Sequence, residues 1–167
     1  MTGKYKRRMR RRKKMNREKR EIRSLEDTLE VFKAENEGKY EYEYMLSEGL
    51  VSKEWYEMMA MVVKKMGIKR VIDVGSGMNF FGYLFAREGI EYIGIDNWTN
   101  ELKPVEGKNI KFIEANYYDV REEYKDEVII SCLCIGYLIP KEDVRAKLLI
   151  TNGSGADNEI KITGKVE

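Results

Sequence analysis

The segment Asp73-Val74-Gly75-Ser76-Gly77 constrains this chain more than any other. It closes an apolar run that begins at Arg70, and it precedes a stretch in which Phe80, Phe81, Leu84 and Phe85 recur at helical spacing. A strand, a glycine turn and a helix in that order form the opening of a strand–helix–strand unit. Glycines in such a turn let the backbone reverse tightly and approach a ligand without a Cβ in the way. Gly89 ends the helix, and Glu91-Tyr-Ile-Gly-Ile-Asp96 reads as the second strand, closing on an acid 23 residues after Asp73. A carboxylate at that strand end can accept hydrogen bonds from both hydroxyls of a ribose.

The same alternation continues downstream. Ile110 to Glu114 is the third strand, Val128 to Cys134 the fourth and Leu148 to Thr151 the fifth, while Glu159 to Thr163 alternates like an edge strand. Strands separated by helical or crossover segments predict an α/β fold with a mainly parallel, doubly wound sheet and helices on both faces. Upstream, Ser24 with an acid three residues later marks a helix start, Leu25, Leu29 and Phe32 its apolar stripe, and Gly38 its end. Lys39-Tyr-Glu-Tyr-Glu-Tyr44 alternates polar and aromatic residues, as a strand or an ordered loop would. A second helix has Ser52 as its cap, Trp55, Met58, Met59, Val62, Val63 and Met66 on its apolar face, and Gly67 as its stop. The expected organisation is therefore a basic arm over residues 1–23, a helical and aromatic extension over 24–51, and a ligand-binding domain over 52–167.

Charge is distributed unevenly. Residues 4–23, Lys4 to Arg23, hold 13 Lys or Arg against Glu18 and Glu21, whereas the rest of the chain carries 18 basic and 27 acidic residues. Such an arm has almost nothing apolar to bury and reads as disordered or as a frayed helix. Its cation density suits a polyanion, so nucleic acid is the expected partner; attraction to the acidic body is the competing reading. No run approaches the roughly 20 apolar residues of a membrane span, and the arm lacks the apolar core of a secretory signal, so a cytoplasmic chain with no membrane partner is expected. The chain has no histidine, which excludes Ser-His-Asp and Cys-His catalysis. Cys132 and Cys134 are too close along one strand to bridge and read as small buried thiols; no metal site is expected.

The acidic-x-Gly-x-Gly turn followed by a strand ending in an acid resembles the class I S-adenosylmethionine-dependent methyltransferases, over about residues 52–151. The resemblance implies a Rossmann-like domain, shortened at its C-terminus and preceded by a helical extension. It implies that Gly75, Ser76 and Gly77 pass beside the methionine portion of S-adenosylmethionine, with Asp73 near its amino group. Asp96 would hold the ribose, Asn97 and Trp98 would flank the adenine, and Asn116 would accept from the adenine amine. A dinucleotide fingerprint would need a third glycine where this chain has Phe80, and Asp73 would repel phosphates.

Methyl transfer needs little acid–base machinery, so the absence of histidine is compatible with it. The Asn/Asp-Pro-Pro-aromatic motif of amino-methylating nucleic-acid enzymes is missing after the fourth strand, as is a Pro-Cys nucleophile. Ser131, Tyr137 and Tyr42 are the residues that could face an acceptor, against core, turn or packing roles for each. Only 16 residues follow Thr151, which leaves the substrate wall short, makes self-association plausible and keeps two alternatives open. One is a non-catalytic protein binding S-adenosylmethionine or a nucleotide on the same fold. The other is lyase or aminocarboxypropyl transfer chemistry with the same cofactor.

Overall fold

In the computed structural model, the described residues are 16–98, 101–132, 134–136, 138–152 and 160–164. Six strands form one sheet in the order β3-β2-β1-β4-β5-β6: β1 (Arg70–Val74), β2 (Glu91–Asp96), β3 (Ile110–Glu114), β4 (Val128–Ser131), β5 (Leu148–Asn152) and β6 (Ile160–Gly164). The first five strands are parallel and β6 joins β5 antiparallel. This is the expected Rossmann-like α/β sheet, and its strand order reverses between β1 and β4. At that switch point the loops after β1 and β4 turn to opposite sides and open a crevice at the carboxyl ends of the strands.

Side chains alternate across the pleat. Val71 and Tyr92 face one side, while Ile72, Val74, Ile93 and Ile95 face the other. The first side is covered by the N-terminal helices α1 (Leu25–Asn36), α2 (Tyr42–Gly49) and α3 (Lys53–Lys65), together with α4 (Gly82–Ala86). The second side is covered by the single-turn α5 (Tyr117–Val120) and by the segments carrying Ile135, Ile139 and Val144.

Helix α1 begins as its sequence predicts. The Ser24 hydroxyl accepts from the Asp27 N–H, and the Asp27 carboxylate accepts from the Ser24 N–H, a reciprocal capping box. Phe32 then packs edge-on against Phe80 at 4.7 Å and stacks on Tyr42 at 5.5 Å. That packing overrides the two-residue alternation of residues 39–44. Burying Tyr42 and Met45, three apart, in one cluster with Phe32 puts both on one face of a helix. Tyr40 and Tyr44 are left exposed.

Helix α3 runs as expected to Gly67, which adopts φ +69°. Its buried side chains, Trp55, Tyr56, Met59, Ala60 and Val63, are rotated from the predicted stripe, so Met66 lies outside. Ser52 stands at its N-cap position but makes no side-chain capping bond. Strand β4 stops at Ser131, so both cysteines belong to the loop beyond it. They are half-buried and unbridged.

The described part of the arm, residues 16–23, is helical over 16–19 and docked on the body. Arg17 pairs with Glu35 at 2.6 Å, the Arg20 carbonyl accepts from the Lys108 N–H at 2.7 Å, and Ile22 is buried against Gly107. Residues 4–15 lie outside the described residues.

Candidate functional site

The glycine turn is held to the sheet by its own backbone. The Gly75 N–H donates to the Ile95 carbonyl at 2.8 Å, which seats the turn over the end of β2. Gly75 has φ +79°, and a Cβ there would lie 2.3 Å from the Cys134 Cβ, so the β4 loop packs where any side chain would stand. Asn79 follows with φ +61°, a conformation that asparagine tolerates better than most residues. Its amide donates to the Val105 and Lys111 carbonyls, both at 3.1 Å, and so clamps the turn to the β2–β3 crossover and to β3.

Asp96 lies at the end of β2 beside this turn. One carboxylate oxygen accepts from the Gly77 N–H and the other from the Trp98 N–H, both at 2.9 Å. Each oxygen keeps a second lone pair, and the two point from a group whose rotation is already fixed. A cavity of about 570 Å³ opens here, lined by Gly75, Asp96, Asn97, Trp98, Asn116 and Tyr118, with apolar walls from Ile95 and Ala115. Trp98 is 49% exposed and Tyr118 41%, so both rings stand at the mouth. The Asn116 side-chain oxygen caps α5 by accepting from the Tyr118 N–H at 3.1 Å, leaving one lone pair for a ligand. The structure thus brings together Gly75, Asp96, Asn97, Trp98 and Asn116 from the predicted set.

Gly77 and Ser76 line a second, smaller cavity of about 120 Å³ on the far side of Gly75. It is also lined by Met45 and Glu48 of the N-terminal extension and by Ser52, and Gly75 and Cys132 border both cavities. The Ser76 hydroxyl itself is buried without a hydrogen-bond partner and lies over Gly94 of β2.

Asp73 is placed differently from the expectation that it would meet a ligand directly. It is fully buried and lines neither cavity. One oxygen accepts from the Tyr92 hydroxyl at 2.5 Å and the Tyr56 hydroxyl at 2.7 Å, and the other has no partner. Burial raises its pKa to about 7, against the lowering effect of the two tyrosine hydrogen bonds, with the Asp96 charge adding to the rise. The same burial and the Asp73 charge raise both tyrosines well above their ordinary value, so they remain donors.

The residues expected to face an acceptor are not gathered at the mouth. The Ser131 hydroxyl is buried, donates to the Val74 carbonyl at 2.8 Å and accepts from the Ile135 N–H at 3.1 Å. It fastens the β4 loop to the end of β1, and both of its bonds are internal. Ser131→Ala should leave a buried carbonyl and a buried N–H unpaired and lower stability by about 1–3 kcal/mol in urea unfolding. Tyr42 is a core residue on Phe32. Tyr137 lies outside the described residues. Burial also raises the Cys132 and Cys134 thiols to about 11, so neither is a thiolate nucleophile near neutrality.

Tyr56, Tyr92 and Asn79 were missed in the sequence. Tyr92 shares a strand face with Gly94, and an asparagine two residues after Gly77 is a recognisable left-handed turn signal; Tyr56 comes from another element and had no local signal.

No protein-family model matches this chain, and no curated protein matches it. Solved structures do. The bifunctional kinase-methyltransferase WbdD aligns at 12% identity and TM-score 0.44, covering 61% of this chain and 28% of that one. A Staphylococcus aureus protein described as a caffeoyl-CoA O-methyltransferase aligns at 12% identity and TM-score 0.45, covering 77% and 72%. The plantazolicin methyltransferase BamL, solved with a triazolic desmethylPZN analogue and SAH, aligns at 20% identity and TM-score 0.43, covering 66% and 48%. The aligned region spans less than a third of WbdD and about half of BamL. These three chains are described as methyltransferases, at identities of 12–20% to this one.

Proposed function

We propose that this chain binds S-adenosylmethionine at the carboxyl end of its sheet and transfers the methyl group to an acceptor. The observation that carries the reading is Asp96. Its carboxylate is oriented by two backbone N–H groups, retains a lone pair on each oxygen, and stands at the floor of a cavity with an aromatic mouth. That donor set fits the adjacent hydroxyls of a ribose, with the adenine between Trp98, Tyr118 and Asn116. The methionine portion would run past Gly75 toward the smaller cavity. Bound there, the cofactor supplies an electrophilic methyl group. The chain's own contribution is to fix the ribose and exclude water, since alignment of the reacting groups supplies much of the acceleration in such a transfer.

A dinucleotide fits less well. Phe80, where a third glycine would be needed, is buried edge-on against Phe32 and closes the approach of a pyrophosphate to the helix start. Binding without catalysis has one observation in its favour, namely that Ser131 and Tyr42 offer an acceptor nothing. Formation of S-adenosylhomocysteine from a bound acceptor would separate these readings, and methylthioadenosine as product would indicate lyase or aminocarboxypropyl chemistry.

Calorimetric titration with S-adenosylmethionine, S-adenosylhomocysteine and NAD tests the binding step. Asp96→Ala should weaken the first two by about 1–3 kcal/mol, roughly 5- to 150-fold, because two charge-assisted hydrogen bonds are lost. Binding of NAD alone, or an unchanged affinity in the variant, would overturn the assignment.

A further inference from the structure

In a parallel α/β sheet the helices return antiparallel to the strands, so helix C-termini and strand N-termini gather at one end of the molecule. In this chain that end is basic, although the body as a whole is acidic. Lys65 closes α3, Lys69 precedes β1, Arg87 follows α4, Lys125 leads into β4 and Lys147 precedes β5. All five side chains are exposed, and among the described residues none forms an ion pair. The neighbouring acids are largely engaged: Glu88 pairs with Lys64, Glu91 and Glu127 with Arg70, and Glu21 with Lys108 and Arg23. Glu123 and Asp126, beside Lys125, are acids at this end without such a pair. The opposite end, where the 570 Å³ cavity opens, carries Glu48, Asp96, Asp119 and Glu142 alongside Lys53 and Lys141.

The basic end is continuous with the docked residues 16–23. A cleft of about 330 Å³ is lined by Arg23, Arg87 and Lys108 together with Glu21, which pairs with Arg23 and Lys108, and it lies where the docked segment turns onto the body at Ile22. From Lys108, before β3, to Lys147, before β5, the sheet is four strand spacings wide, about 19 Å at 4.8 Å each. That distance carries the cationic surface from the docked residues 16–23 across the body.

We propose that the amino-terminal end of the sheet is a docking face for the phosphate backbone of a nucleic acid, contiguous with the arm and opposite the ligand cavity. The chemistry favours a polyphosphate over a lipid surface. Residues 4–23 contain Tyr5, Met9, Met15 and Ile22 as their only large apolar side chains, and Ile22 is buried in the body, so the arm has no apolar face to insert into a membrane. Binding of this kind is sequence-independent and salt-dependent. It anchors the protein without directing the polymer into an acid-rimmed mouth. The inference stands apart from the cofactor reading.

The test compares two variants of the full chain, Lys69→Gln/Lys147→Gln at the basic end and Lys53→Gln/Lys141→Gln at the other. Binding of a labelled 20-nucleotide single-stranded RNA is followed by anisotropy from 0.05 to 0.3 M salt. Two phosphate contacts contribute a log–log salt slope of about 1.4, so the first variant should lose about twenty-fold in affinity at 0.1 M salt and that much slope, while the second changes less than twofold. Saturating RNA should leave S-adenosylhomocysteine affinity unchanged. Equal losses in both variants, no loss in either, or competition between RNA and S-adenosylhomocysteine overturns the proposal. So does a Lys69/Lys147 dependence seen only with phosphatidylserine vesicles. Failure of S-adenosylhomocysteine to bind at all would count against the cofactor reading and leave the RNA comparison decisive for this face.

Discussion

Asp73→Asn is expected to change from destabilising to stabilising as pH rises. Asp73 is raised from 3.8 to about 7 in the folded chain, chiefly because burial disfavours its charge. A group whose folded pKa lies above its unfolded value contributes stability that is present below the unfolded value and is lost as pH rises through the folded one. The ionised carboxylate therefore weakens the wild-type fold progressively between about pH 4 and 7, by roughly 4 kcal/mol at the upper end. Asparagine keeps an oxygen for the Tyr56 and Tyr92 hydroxyls but places two amide hydrogens where the wild-type oxygen has no partner. That substitution costs about 1–3 kcal/mol at every pH. Urea unfolding at pH 4.5, where the wild type has already lost about 1 kcal/mol, should show the variant less stable by up to about 2 kcal/mol, and at pH 8 more stable by about 1–3 kcal/mol. A difference that does not vary with pH would mean that Asp73 titrates as an ordinary surface acid, and the buried clamp would then be wrong.

Gly94→Ala should be among the most damaging single changes in the chain. A Cβ at Gly94 would fall 1.9 Å from the Asn79 side-chain oxygen and 2.4 Å from the Ser76 hydroxyl. Asn79 is 1% exposed and fixed by its bonds to the Val105 and Lys111 carbonyls, so it yields only by breaking them. Overpacking of about 1–3 kcal/mol and two lost hydrogen bonds of about 1 kcal/mol each predict a loss of about 3–5 kcal/mol. Because the same displacement moves the turn that carries Gly75 and Gly77, affinity for S-adenosylhomocysteine should fall with stability. Asn79→Gly removes the nearer of the two obstructions, leaving Ser76, while keeping the left-handed backbone accessible. The double variant should therefore be less destabilised than the sum of the two single changes, by at least 1 kcal/mol. Strict additivity in denaturant unfolding would show that the two residues do not meet.

These two sites mark where the sequence is legible and where it is not. The strands β1, β2 and β3 could be read residue by residue, because each is an apolar run ended by a turn residue or an acid. The position of Asp96 could be read too, since it is the acid that ends the second strand. The residues 39–44 were not legible: their alternation fits a strand, and only Phe32, brought by another helix, makes a helix of Tyr42 to Gly49. Ser131 shows the same limit at the site. A serine after a strand reads equally well as a reactive group or a fastening, and its two partners, Val74 and Ile135, are contributed by the packing of β4 beside β1.

The sequence by itself determined the doubly wound sheet, the glycine turn, the acid at the end of β2 and the separation of a basic arm from an acidic body. Each of these depends on local spacing and composition, which a linear pattern carries. Only the tertiary structure decided that Asp73 is clamped by two tyrosines away from the cavity, that Cys134 stands against Gly75, and that lysines and an arginine from four separate connections share one end of the sheet. These are contacts and coincidences between residues far apart in the chain. They arise from how helices return across a parallel sheet, and no window of the sequence contains them.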